Sequence, residues 1–461
     1  MDNLLRKIIK KKFKTCDKYR QHSNNDSSHC IFCNESLQVL SGNKMIDNLL
    51  KKSLTLRLVS RIKYIPFEQF TNIEYLTEGG FSKIYKAIWK DGPIIGWLPS
   101  NGCFRRNKRE IVLKRLNNSE NIDSSFLNEL EIYIKIVGME RNDFARDSNG
   151  RSRINTIFGI TQDPQTRDFM LVIDFLKDGD LHHFLLNHNE IDSTSRLEIL
   201  RDTAEQLQKI HNQKIIHRDF HSGNILIHKC GNRWVSVNIN DFGISRPANE
   251  WTDKEVYGVI PYIAPEILRG EKFTTASDIY SFGMIMWEIT SGQKPFSDCS
   301  HDIRLIIDIC NGIRPPIING TPKPFIDLMI KCWENDPSKR PTADAVKDII
   351  HDMYNNDKIE LPTIKNTKVA THPHAIFTSR SLSSMIRTAS ALLFTKSNYL
   401  PFTVSLQMLS FIEIDQHSKN EQVFDSLKSE NCLNYKSQSF YNLHENIKNE
   451  NSMYKFIFSL R

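Results

Sequence analysis

The spacing of apolar and polar residues changes period along the chain, and each change predicts an element. From Ser193 to Asn212, Leu197, Leu200, Ala204, Leu207 and Ile210 recur near every 3.6 positions, which predicts one amphipathic helix with a buried stripe. A shorter stripe, Phe126, Leu130, Ile134 and Val137, predicts another helix, with Ser124 or Ser125 placed to cap it. Strand-length apolar runs lie at Ile73–Leu76, at Ile111-Val112-Leu113-Lys114, and at 157–160 and 169–173, the last two joined by a turn at Asp163-Pro164. Residues 225–228 and 234–239 flank Gly231-Asn232, a hairpin signature. The near-continuous apolar run Ile279 to Ile289, headed by Asp278, reads as a buried helix, and another helix starts after Gly179-Asp180-Leu181.

Outside these runs the texture is polar. Residues 1–20 carry eight basic residues against Asp2 and Asp17, with Leu4, Leu5, Ile8, Ile9 and Phe13 roughly on one helical face. A solvated basic helix, a membrane-surface helix and a nuclear-import patch all fit that pattern. Residues 91–110, with Pro93, Gly96, Pro99 and Gly102, read as an irregular insertion ending in a basic cluster from Arg105 to Arg109. From Leu361 to Phe411 there are five basic residues and no acids among many Ser and Thr, and later stretches are rich in Asn, Ser, Lys and Glu. That composition predicts a largely disordered tail over 357–461, with a mildly apolar patch near 399–414.

Composition narrows the class. With 461 residues, 39% hydrophobic and 25% charged, the chain has the make-up of an ordinary globular protein and the length for a two-lobed domain plus extensions. A net charge of +7 is modest for this size and does not argue for nucleic acid. The nine scattered cysteines form no framework, which points to a reducing interior, the cytoplasm or the nucleus. Cys30-Ile31-Phe32-Cys33 has metal-ligand spacing, near His29, His22 and Cys16, but lacks a second pair. A zinc site and two free thiols both remain open. No run of about eighteen apolar residues predicts a membrane-spanning helix, and Met1-Asp2-Asn3 does not open a secretory signal.

The chemistry concentrates in Ile216-His217-Arg218-Asp219-Phe220-His221-Ser222-Gly223-Asn224-Ile225-Leu226, followed by Asp241-Phe242-Gly243. An Asp with an Asn five residues on, then a strand-rich run to a second Asp, matches the catalytic loop and metal-binding turn of protein kinases. Phosphoryl transfer is mostly positioning and charge neutralisation. Asp219 would accept or orient the acceptor hydroxyl, and Asn224 and Asp241 supply hard oxygen ligands that suit Mg²⁺. Upstream, Thr77-Glu78-Gly79-Gly80-Phe81-Ser82 forms a tight turn between two strands, able to cover phosphates with backbone N–H groups.

Residues from roughly 70 to 354 thus resemble a protein kinase catalytic domain of the tyrosine-kinase-like branch, after a basic extension over 1–63 that is expected to be partly disordered. The resemblance implies an α+β bilobal fold, with a small β-rich N-lobe and a larger helical C-lobe, and an ATP- and Mg²⁺-dependent transferase acting on a protein substrate. It implies that Lys114 contacts the α/β-phosphates and that Glu129, with Glu131 as rival, pairs with it. Phe81 would be the lid of the glycine turn, Ile84 the roof over adenine and Leu226 its floor. Ile173 would be the gatekeeper, and Asp174 to Leu176 the hinge, which reads adenine through backbone groups. Glu266 of Ala264-Pro265-Glu266 would pair with Arg340, and Asp278 would anchor the catalytic loop. The segment Ile244 to Ile263 would be the activation loop, with Thr252 or Tyr257 as acceptors of an upstream kinase and Arg218 as a partner for the phosphate.

The chain also departs from the family pattern. Thr77 and Ser82 stand where the family has glycines, and Val112 stands where it usually has Ala, which narrows the adenine slot. These three support the alternative of a non-catalytic scaffold. His221 and Val259 match neither the serine/threonine nor the tyrosine pattern, with a lean to serine/threonine.

Overall fold

The computed structural model describes residues 41–55, 62–78, 82–98, 103–116, 127, 130–135, 157–188, 191–230, 234–247, 255–355, 359–364 and 370–397. The chain divides into two compact units. One is drawn from Met1–Asn187, Thr194–Glu250 and Ala343–Tyr354; the other from His188–Ser193, Trp251–Thr342 and Asn355–Arg461. The architecture is α+β, with a six-stranded sheet followed by a mostly helical part, as the resemblance implies.

The first unit opens with α1 (Lys44–Thr55), whose Ile46 and Leu50, four residues apart, are buried. The sheet comprises β1 (Lys63–Tyr64), β2 (Phe70–Glu78), β3 (Ser82–Trp89), β6 (Arg109–Leu116), β7 (Ile157–Gln162) and β8 (Phe169–Asp174) in the order β1-β7-β8-β6-β3-β2. Only the β1–β7 pair is parallel. Period-two alternation divides its faces. Ala87, Ile111, Leu113 and Val172 lie on the buried side, with Trp89 and Phe158 packed at 5.6 Å. Gly159 is required where β1 runs beside β7, because a Cβ there would lie 2.1 Å from the Lys63 carbonyl oxygen.

Residues 91–110 are not the irregular insertion expected from their Pro and Gly content. They hold an antiparallel pair, β4 (Ile94–Leu98) and β5 (Cys103–Arg106), because a register shift before Gly96 accommodates the glycine in mid-strand and Pro93 stands just outside the ladder.

After α2 (Leu181–Asn187), α3 (Ser193–Asn212) occupies the span that its stripe predicts, and all five stripe residues are buried. Each large aliphatic among them contributes about 1.5–3 kcal/mol on leaving water. Then come β9 (Ile215–Ile216), the hairpin of β10 (Ile225–Cys230) with β11 (Trp234–Ile239), and β12 (Arg246–Pro247), which pairs back on β9.

The second unit starts with β13 (Tyr257–Gly258) and α4 (Pro265–Leu268). Its centre is α5 (Thr275–Ser291), capped by a Thr274–Ser277 capping box and buried from Ser277 to Thr290. Such a helix, apolar on every side, must be covered all round. α6 (Ile303–Cys310) and α7 (Lys323–Cys332) follow, and Gly283 of α5 allows α7 to approach closely. Arg340, fully buried, forms a bidentate pair with Glu266 at 2.7 and 2.6 Å. Next, α8 (Ala343–Asn355) lies mostly in the first unit, where Tyr354 donates to Glu198 of α3 at 2.6 Å.

The expectation of a largely disordered tail from 357 is corrected over 370–397. This stretch carries β14 (Arg380–Ser381) and α9 (Ser383–Ser397), with Leu382, Ile386 and Ala389 buried. Tertiary burial outweighs the weak local signal of a Ser- and Thr-rich composition. The N-terminal Cys pair, the basic helix and the 399–414 patch lie outside the described residues.

Candidate active site

The site is built on the second face of the sheet and on the loop between β9 and β10, all within the first unit. In register, Ile84 and Leu171 flank Lys114, while Lys86 and Ile173 flank Val112. Directly opposed residues share a face, so one surface carries Ile84, Val112, Lys114 and Ile173. Lys114 is buried, but Ile84 and Val112 are only half-buried. Leu226 is the second residue of β10, and its bridge to Asp180 together with the Ile227 N–H to Gly179 O bond (2.9 Å) ties β10 to the segment after Leu176.

Asp174 keeps only its backbone toward the hinge, the part the hinge reading calls for. It pairs with Ile111 on the opposite face, and its carboxylate accepts Arg109 Nε at 2.8 Å. Only its backbone is left to serve as hinge, because strand alternation turns its side chain away from the Ile173 face.

The loop is pinned at both ends. Asn240 N–H donates to Asn224 O at 2.8 Å, His217 Nε2–H donates to Asn240 O at 2.9 Å, and Ser245 Oγ donates to His217 O at 2.9 Å. Phe242 is buried 5.0 Å from the Tyr133 ring, on the helical residues 130–135, and 5.1 Å from the His217 ring. Arg218 (φ 72°) and Asp241 (φ 62°) both take left-handed backbone. Such conformations cost about 1–3 kcal/mol each and persist only where the surroundings over-determine them.

Within this frame the polar groups converge. Lys114 Nζ lies 2.8 Å from Asp241 Oδ1, which also accepts the Gly243 N–H at 3.2 Å. Asn224 Nδ2 donates to Asp219 O at 2.8 Å. The amide's donor half is thereby engaged, and its oxygen is the half suited to a cation. Asp219 is buried, and among the described residues its Oδ1 accepts no hydrogen bond; His221 Nε2 is 3.6 Å away. Gly223 N–H donates to His221 Nδ1, so in the neutral ring the proton sits on Nε2. Burial alone would raise the Asp241 carboxyl. The charge and hydrogen bond of Lys114, the Gly243 amide and the charge of His217 outweigh it, and the net shift is downward. The side chain is 42% exposed, which weakens the burial effect and agrees with that direction.

Asn224 and Asp241 bring two hard oxygen donors, and among the described residues no cluster of three or more His, Cys, Asp or Glu could hold a metal alone. Two protein oxygens fit a Mg²⁺ that takes its remaining ligands from phosphate and water.

Of the glycine-turn residues, Thr77 and Glu78 end β2 exposed, Glu78 lies 3.8 Å from Lys83, and Ser82 is buried at the start of β3. Gly79, Gly80, Phe81, Glu129 and Thr252 lie outside the described residues. The linking role of Asn240 was missed from the sequence. Its signal was position, at the exit of β11 just before Asp241.

The sequence model of protein tyrosine and serine/threonine kinases matches residues 70–350. A Dictyostelium discoideum protein described as a probable serine/threonine-protein kinase is 26% identical over 304 residues, 64% of this chain and 20% of its own length. Mitogen-activated protein kinase kinase kinase 10 of Xenopus laevis is 25% identical, over 65% of this chain and 28% of its own length. The serine/threonine-protein kinase VIK of Arabidopsis thaliana is 25% identical, over 67% of this chain and 63% of its own length. The chain spans less than two thirds of each of these relatives. Among the described residues, no helix is long and apolar enough to cross a membrane.

Proposed function

Because this chain belongs to the protein tyrosine and serine/threonine kinase family, we propose that it transfers the γ-phosphoryl group of ATP to a hydroxyl of a protein substrate. Serine or threonine is the proposed acceptor, in keeping with the names of its relatives. The observation that carries the proposal is the convergence of Lys114, Asp219, Asn224 and Asp241 on one pinned loop and one sheet face.

Each residue has a proposed task. Asp219, buried with Oδ1 accepting no hydrogen bond among the described residues, orients the acceptor hydroxyl and takes its proton. Lys114 would hold the α/β-phosphates, and its present partner Asp241 would, with Asn224, hold the cation. Mg²⁺ at those oxygens would neutralise charge on the transferred phosphoryl. Ile84, Val112, Ile173 and Leu226 supply the apolar slot for adenine, with the backbone of 174–176 as its polar edge. Glu129 would orient Lys114, and the Thr77–Ser82 turn, with Gly79, Gly80 and Phe81, would cover the phosphates. An upstream kinase acting on Thr252 or Tyr257 and a cytoplasmic or nuclear setting complete the proposal.

One observation favours a second reading, a kinase-like scaffold: Val112 stands in register between Lys86 and Ile173, where a smaller side chain would leave more room. The test is ATP- and Mg²⁺-dependent phosphate transfer by wild type and Asp219→Asn, followed by phosphoamino-acid analysis. Transfer by wild type alone, onto Ser or Thr, is expected. Equal silence would favour the scaffold, and phosphotyrosine alone would overturn the acceptor preference.

A further inference from the structure

The family match ends at residue 350, yet residues 370–397 are folded onto the second unit. They dock through main-chain pairing. β14 lies antiparallel to β13, with Ser381 opposite Tyr257 and Arg380 opposite Gly258. Both backbone groups of Val256 are engaged by the same stretch: its carbonyl accepts Leu382 N–H at 2.8 Å, and its N–H donates to Ser383 Oγ at 2.8 Å.

A second anchor lies around His301, whose N–H donates to His374 O at 3.0 Å and whose carbonyl accepts Arg380 Nη2 at 2.6 Å. The Phe377 ring packs edge-on to the His301 ring, with centroids 4.7 Å apart. The third anchor is apolar: α9 packs on α6 and α4, and Leu382, Ile386 and Ala389 are buried. The main packing partners of the central helix α5, which are α7 and the short turns at 260–262 and 337–339, lie inside the matched domain, so the docked stretch adds to a core whose centre is built without it.

Tyr257 is where this addition bears on chemistry. To accept a phosphoryl group in another kinase's site, a residue must leave its own ladder and enter as an extended segment. Here the backbone on both sides of Tyr257 is paired with 380–383, and its hydroxyl donates to Glu255 at 2.6 Å. We propose that residues 370–397 are a releasable strap on the helical unit, and that its release is what lets Tyr257 be phosphorylated. The step moves the γ-phosphoryl of ATP onto Tyr257 Oη and releases ADP, with the phenolic proton passing to the modifying kinase's base. The strap rests in part on the proposed phosphorylation of this segment.

The test uses full-length protein in an Asp219→Asn background, so that added phosphate is not the chain's own work. That protein, and versions with Leu382→Asp or Ile386→Asp, are incubated with ATP, Mg²⁺ and an added tyrosine kinase, and phosphate at Tyr257 is followed by peptide mass spectrometry. Both strap variants should be modified at least about tenfold faster. Hydrogen exchange should quicken at Val256 and Leu382 while α5 stays protected. Equal rates in all three proteins would overturn the gate. Loss of protection in α5 as well would overturn releasability, since the strap would then be part of the core. A synthetic peptide of residues 250–262 left unmodified at Tyr257 would overturn the choice of acceptor, separately from the gate.

Discussion

Replacing Glu266 by Ala should be among the most damaging single changes in the second unit. Arg340 and Glu266 are 0% and 3% exposed and joined by two hydrogen bonds of 2.7 and 2.6 Å. Arg340 also donates to Glu334 O at 2.7 Å and Ala276 O at 2.9 Å, so its guanidinium cannot swing to water when its counter-ion is removed. Leaving a charge buried and uncompensated costs about 3–5 kcal/mol. Lys323 and Asp327 form a pair of similar length, 2.9 Å, but are 84% and 49% exposed. Solvent screening limits such a pair to about 0–1 kcal/mol. At roughly 2–4 °C per kcal/mol for units of this size, calorimetry of the full chain should show Glu266→Ala melting about 6–20 °C lower. Asp327→Ala should stay within about 4 °C of wild type. The apolar double variant Glu266→Leu/Arg340→Met should recover much of the loss. If Glu266→Ala moved the transition no further than Asp327→Ala, burial would not be what sets the worth of this pair.

Three further outcomes are expected. The Asp241 carboxyl is held below its ordinary range in the folded chain, so its stabilisation is present above the unfolded carboxyl range and is lost as pH falls through the folded value. The stability gap between wild type and Asp241→Asn in urea titrations should therefore be constant near neutrality and shrink on acidification below about pH 4. Gly283→Ala should destabilise by about 1–3 kcal/mol in the same titrations, because its Cβ would lie 2.9 Å from Cys332 Cβ and 3.2 Å from Trp333 N. Val112→Ala, which removes bulk between Lys86 and Ile173, should lower the KM for ATP by about two- to tenfold in steady-state assays.

Much of the fold could be read from period alone. The stripe of α3 marked the helix because every third or fourth position from Leu197 to Ile210 is apolar and, Ile199 apart, the intervening ones are polar or charged. The β10–β11 hairpin was visible because Gly231-Asn232 is a turn dipeptide between two strand runs. Tertiary context decided the rest. β4 and β5 pair through main-chain groups, to which side-chain composition is almost blind, and residues 370–397 are held by three anchors spaced along a Ser- and Thr-rich stretch. In the candidate site, residue types pointed to Lys114, Asp219, Asn224 and Asp241, but not to the links between them. Asn240 acts through its backbone, and backbone roles leave little trace in residue type. Asp174 is the same kind of case: alternation along β8 places its side chain opposite the Ile173 face, so only its backbone is available to a hinge.

The proposed transfer depends most heavily on a division of labour between Asp219 and Asp241. The direct measurement is calorimetric binding of ATP with Mg²⁺, paired with phosphate-transfer rates, for wild type, Asp219→Asn and Asp241→Asn. Asp219→Asn should bind nucleotide as wild type does yet transfer phosphate about 100- to 10,000-fold more slowly, while Asp241→Asn should lose the Mg²⁺-dependent part of binding. Unchanged transfer by Asp219→Asn, or Mg²⁺-dependent binding that survives in Asp241→Asn, would contradict it.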